Sequence, residues 1–159
     1  MLRCLQRIFF KGEPPEAMNA LISTLLEYKG RRVHSVPSTT TVLEAVREMN
    51  RHNISSILVM DGGRLMGVLT ARDVIIRVVA AELDPITTGV HRVMDTDLPP
   101  LTPDMYALDA MQIFEARHCS HLPVLEDDRV IGVISVSDIS SWCATAQRAE
   151  TESMRAFLG

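Results

Sequence analysis

Two pairs of side chains stand three residues apart behind similar apolar runs: Thr70 and Asp73 in "GVLTARD", Ser135 and Asp138 in "GVISVSD". A hydroxyl followed three positions later by an acid, where a helix begins, makes a capping box. The same arrangement has a second use. A strand that ends in a hydroxyl and opens a helix turns backbone N–H groups toward an anion, and a carboxylate on the first turn can accept both hydroxyls of a ribose diol. Capping and binding are compatible. A different chemistry is suggested by "RHCSH", which holds His118, Cys119 and His121. Three such neighbours at a helix-to-strand junction do not easily converge on a metal, and no distant Cys or His completes four ligands. Nothing orients Cys119 as a nucleophile, and neither a G-x-G-x-x-G nor a P-loop is present, so a non-catalytic chain is expected.

The two phrases lie 65 positions apart (132 − 67), and the same offset aligns "VLEAVREMNRHNISSILVMDGGRLMGVLTARDV" with "ALDAMQIFEARHCSHLPVLEDDRVIGVISVSDI" without a gap. Leu43 meets Leu108, Ser55 meets Ser120, Val59 meets Val124 and Gly67 meets Gly132. This is an internal duplication. A period this long makes two halves of a domain rather than a short-period solenoid.

The elements that must position these residues follow from local patterning. "PSTTTVLEAVREMNRH" supplies hydroxyl caps and apolar Val42, Ala45, Val46 and Met49 at helical spacing; "SSILVM", a "DGGR" turn and "LMGVLT" read as two strands; "ARDVIIRVVAAEL" returns to a helix. The second half repeats this order in "PDMYALDAMQIFEARH", "HLPVL", "EDDR", "VIGVIS" and "SDISSWCATA". Before the repeats, Pro14 and Pro15 with Met18, Leu21, Ile22 and Leu25 predict one amphipathic helix stopped by Gly30. The expected organisation is a leader over 1–30, a first repeat over 31–84, a linker over 85–97, a second repeat over 98–145 and an amphipathic helix over 146–159, with Met154, Phe157 and Leu158 on its apolar side. Met66, Met94 and Met111 read as core fillers. Each half alone has too little core, so an α/β (α+β) fold is expected in which two pseudo-twofold repeats pack sheet to sheet around one cleft.

At 159 residues, 47% hydrophobic and 23% charged, the composition is that of an ordinary globular chain. A net charge of −4 without a Lys/Arg run argues against nucleic acid as a partner. Three scattered cysteines, Cys4, Cys119 and Cys143, suggest neither a disulfide framework nor zinc, and no apolar run suits a signal peptide or a membrane span. A cytoplasmic protein is expected.

The twice-written pattern, with "HLPV" and G-h-h-[ST]-x-x-D, resembles the CBS domain, which occurs in tandem as a Bateman module. The likeness covers Val33 to Ala144, and the leader "LLEYKGRRVHSV" and linker "VHRVM" are similar to those of small stand-alone bacterial CBS-pair proteins. The resemblance implies a regulatory ligand sensor whose cleft takes AMP, ADP, ATP, S-adenosylmethionine or NAD(H), with no cofactor and no metal required. Residue by residue, it implies that Asp73 and Asp138 hold the ribose, that Thr70 and Ser135 supply hydroxyls, and that Val68 and Val133 frame the adenine. Ile54, Ser55 and Ser56, with Cys119, Ser120 and His121, correspond to the strand facing base or phosphate. The segments from His34 through Val36 to Pro37, and from Pro99 to Thr102, correspond to the adenine edge.

Few cations accompany these positions. Arg72 lies in the first phrase, but Val136 and Ser137 stand in the second, and His121 occupies a place where similar proteins set Arg or His against phosphate. Arg72 and His121 are therefore the expected phosphate partners, and a ligand of low charge such as AMP is favoured over ATP. The imidazole would make binding pH-sensitive near ~6.5. The expected function is a homodimeric adenosyl-ligand sensor acting on an unknown protein partner; the alternative is a ligand-free dimerisation scaffold that keeps the capping boxes for stability alone.

Overall fold

A computed structural model describes residues 15–158. Cys4 and Pro14, and the side chains of Met154, Phe157 and Leu158, lie outside the described residues. The chain forms a mixed α/β structure with two small sheets, and it divides into two compact units.

The first unit holds Arg32–Pro100 with Glu126–Ile131. Its sheet has the order β1 (Ser35–Val36), β2 (Ser56–Asp61), β3 (Arg64–Thr70), with β1 parallel to β2 and β2 antiparallel to β3. Helix α2 (Val42–Arg51) begins at a full capping box between Thr41 and Glu44. The two-residue turn of Gly62 and Gly63 has φ of 57° and 82°, as a tight hairpin following the right-handed strand twist requires. Strand β1 is too short to show a period of two and was not anticipated. It places Val36 opposite Val59, in a core with Val42, Ala45, Met49, Ile57, Leu69 and Val78.

Beyond Thr70 the expected long helix is a single α turn, α3 (Ala71–Asp73), that widens into a π-helix over Val74–Val79. The run "VIIRVV" is almost wholly β-branched, a composition that crowds the tighter α turn. The segment over 85–97, expected as a linker, packs on the same core: Val90 and Val93 are fully or nearly fully buried. Val42 N donates to Thr88 O at 2.8 Å, Val90 N to Thr40 O at 2.8 Å, and Val68 and Asp95 exchange both backbone bonds at 2.8 and 2.9 Å.

The second unit gathers 15–31, Leu101–Leu125 and 132–158. The leader is not one helix: a 3₁₀ turn over Glu16–Asn19 and an extended Ala20–Leu21 step precede α1 (Ile22–Lys29), which Gly30 ends at φ 95°. Nor is it an appendage. Ala107 N donates to Ala20 O at 2.9 Å and Ile22 N to Met105 O at 2.8 Å, with Ile22, Leu25 and Leu26 buried. Ala107 and Met105 stand 65 residues beyond Val42 and Thr40, so the leader serves the second repeat as Thr88–Val90 serves the first. The remaining elements are α4 (Ala107–Arg117), β4 (His121–Glu126), β5 (Arg129–Ser135) and α5 (Val136–Leu158). Helix α5 runs unbroken for 23 residues, so the amphipathic tail continues the last helix of the repeat instead of forming its own. Of the expected core methionines, Met94 packs on the first core, Met111 is half-buried and Met66 is 38% exposed. Among the described residues no helix is long and apolar enough to cross a membrane.

Candidate functional site

Both hydroxyl–acid pairs close as capping boxes. Thr70 N and Oγ1 donate to Asp73 Oδ2 at 2.9 and 2.5 Å, and Asp73 N donates back to Thr70 Oγ1 at 3.2 Å. In the second repeat Ser135 N and Oγ donate to Asp138 Oδ2 at 2.7 and 2.6 Å, and Asp138 N donates to Ser135 Oγ at 3.2 Å. Ser135 is buried, so its hydroxyl needs these partners.

The helix starts are less open to an anion than their spacing suggests. Ala71 N donates to Ser55 O at 2.9 Å, and Val136 N to Ser120 O at 3.1 Å. With the amides of Asp73 and Asp138 committed to the hydroxyls, two donors of each first turn are occupied. Ser55 and Ser120 thus act through their backbone carbonyls, tying the entry of one strand to the helix that follows the next.

Each acid meets a cation, and neither cation was expected. Arg77 Nε lies 3.5 Å from Asp73 Oδ1, while its Nη1 donates to the carbonyls of Val93 and Met94 at 3.1 and 2.9 Å. Its position four residues after Asp73 on a helical run is the signal that could have revealed it. Arg72 is exposed on α3. The position equivalent to Arg77 in the second repeat is Trp142. There the cation comes from the leader: Lys29 Nζ donates to Asp138 Oδ2 at 2.5 Å and to Val133 O at 2.7 Å. No local pattern marks Lys29.

Around Asp138 the second repeat gathers Ser135, Val133 and Lys29, with His121 close enough to feel both charges. Ser120 Oγ bonds His121 Nδ1 at 2.9 Å. Burial and the Lys29 ammonium lower the His121 pKa, and Asp138 only partly offsets them. The His121 imidazole is therefore harder to protonate here than in the open chain, which moves the expected pH-sensitivity of this position downward. Cys119 is half-buried, whereas burial pushes the Cys143 thiol upward.

In the first repeat Val68 is buried with its amide and carbonyl both engaged by Asp95. Ile54 and Ser56 are half-buried and Ser55 is exposed. His34 stacks on His52 with ring centroids 3.9 Å apart, and Val36 is buried in β1. Burial first, then His52 and Arg32, lower the His34 pKa against an opposing pull from Glu48. In the second repeat Leu101 bridges Val124 in parallel, as Val36 pairs with Val59, while Pro99 is half-buried and Thr102 exposed.

Two strands, two helix starts and a capping acid recur in each copy as a tandem duplicated architecture, and comparison with known proteins identifies the class. The CBS domain family model matches residues 27–80 and 90–144, and the chain belongs to this family with two CBS domains in tandem. It is 30% identical over 119 residues to the CBS domain-containing protein YhcV of Bacillus subtilis, covering 75% of this chain and 84% of that protein. A meiotically up-regulated protein of Schizosaccharomyces pombe is 38% identical over 118 residues, 74% of this chain but 16% of that much longer protein. Among solved structures, the CBS domain protein NE2398 superposes with a TM-score of 0.74 at 29% identity, covering 77% of this chain and 95% of that one. The CBS-domain containing protein ATU1752 of Agrobacterium tumefaciens gives 0.73 at 26% identity, covering 77% and 98%.

Proposed function

We propose that this CBS pair is a regulatory, non-catalytic protein that binds an adenosine nucleotide or adenosyl compound at its strand-to-helix junctions, AMP being favoured. The observation that carries this reading is the doubled junction itself. In both copies a carboxylate is held on the first helical turn by a hydroxyl at the strand end, with a cation beside it. Such a carboxylate can accept a ribose diol, and the cation can meet a phosphate. One cation per junction suits a small charge, hence AMP before ATP, with ADP, S-adenosylmethionine and NAD(H) as further candidates. The reading has support from a fold relative: the CBS domain pair of protein MJ0100, 22% identical with a TM-score of 0.70, was crystallised with 5′-methylthioadenosine and S-adenosylmethionine.

The ligand would shift the population between two conformations and so the affinity for a protein partner. The reading includes a homodimer in the cytoplasm, checked by sedimentation and by fractionation. The site comprises Thr70, Asp73 and Val68 in one copy and Ser135, Asp138 and Val133 in the other. Thermal shift with AMP, ADP, ATP, S-adenosylmethionine, NAD and NADH, with GMP as control, tests it. A ligand at 100 times its Kd adds ~2.7 kcal/mol of stability, several degrees here. A selective shift lost in Asp73→Asn or Asp138→Asn supports the sensor; a shift that survives in both removes the residue assignment. The closed capping boxes favour one competing reading, a scaffold without ligand, and a flat panel on nucleotide-free protein would support it.

A further inference from the structure

The two junctions differ in where their cation comes from. Arg77 belongs to the helical run that Asp73 opens, whereas Trp142 and Ser137 stand where the second repeat would match Arg77 and Arg72. Lys29 fills that place from outside the repeat. Its ammonium is delivered by a fixed arm. Tyr28 packs edge-on against Trp142 with ring centroids 5.4 Å apart and bonds Thr145 at 3.1 Å, Leu26 seats on Gly132, and Gly30 stops α1 one residue later.

Lys29 also uses what an adenosyl ligand would use. Asp138 Oδ2 already accepts from Ser135 N and Ser135 Oγ, and Lys29 is its third donor, while the same ammonium takes the Val133 carbonyl. A ribose diol approaching Asp138 therefore competes with an ion pair. A phosphorylated ligand brings a replacement acceptor for the ammonium, which keeps a charge-assisted partner while Asp138 turns to the diol. An uncharged adenosyl ligand such as adenosine brings none.

We propose that Lys29 is a specificity-determining residue of the second repeat, selecting phosphorylated adenosine ligands over uncharged ones by exchanging Asp138 for phosphate. This rests on the adenosyl-binding reading above. The test is calorimetric titration of AMP and adenosine into the wild type, Lys29→Met and Lys29→Arg, with circular dichroism and Tm showing that each variant folds. Trp142, the single tryptophan, lies against Tyr28 and reports by fluorescence whether the second repeat is engaged. The wild type is expected to prefer AMP by 10-fold or more, the order of one charge-assisted hydrogen bond at about 1.5–3 kcal/mol. Lys29→Met should weaken AMP, strengthen adenosine and bring the two within about threefold, and Lys29→Arg should keep most of the preference. If Lys29→Met strengthens both ligands equally, the residue is a plain plug and the inference is overturned; an unchanged preference overturns it as well. If neither ligand binds the wild type or Lys29→Met, the adenosyl reading itself falls.

Discussion

At the scale of single residues, Thr70 and Ser135 each carry a helix start whatever else they do. Replacing either by Ala should cost about 0.5–2 kcal/mol in urea unfolding. Ser135→Ala should cost more, because Ser135 is buried and its hydroxyl serves Ser137 Oγ, Asp138 Oδ2 and Asp138 N, all of which lose that partner. Both imidazoles with resolved shifts, His34 and His121, are harder to protonate in the fold than in the unfolded chain. The unfolded state therefore binds more protons through the ordinary imidazole range, near 6.5, and stability rises with pH there. Acidification from pH 7.5 toward 5 should lower Tm, the full penalty being reached below the folded pKa values. His121→Gln should flatten that slope, measured by parallel melts across the range; an identical slope would remove His121 from the account.

Among elements, two glycines show how each hairpin meets its covering segment. A Cβ on Gly67 would stand 2.7 Å from the backbone oxygen of Asp95, and one on Gly132 would stand 2.5 Å from the Cδ2 end of Leu26. Backbone yields less readily than a side-chain tip, so Gly67→Ala should destabilise by about 1–3 kcal/mol and Gly132→Ala by less, compared by chemical denaturation. Much of this layer was legible in the sequence. The gapless offset made the second half a check on the first, and Thr70 with Asp73 and Ser135 with Asp138 announced their capping boxes through spacing alone. Other features were hidden for identifiable reasons. Two-residue β1 shows no alternation, and a β-branched run does not say whether its turns are α or π. The pairing of Lys29 with Asp138 joins residues 109 apart, where no local periodicity reaches. The available clue was negative: Trp142 where the first copy has Arg77.

For the molecule as a whole, the division into two units with the leader assigned to the later one makes a prediction about separable stability. Leu25→Asp places a charge where the side chain is fully buried and should unfold the second unit selectively. Hydrogen exchange should then show protection lost over 101–125 and 132–158 and kept over 32–100; uniform loss would mean that the units are one cooperative body. The same assignment has a consequence in time. Trp142 Nε1 donates to Ala17 O across 125 residues of chain. Made on a ribosome at roughly 5–20 residues per second, Met18, Ile22 and Leu25 emerge about 6–25 s before their last partners do. These apolar side chains thus wait through most of the synthesis of the repeats, and during that interval they are a natural handle for a chaperone.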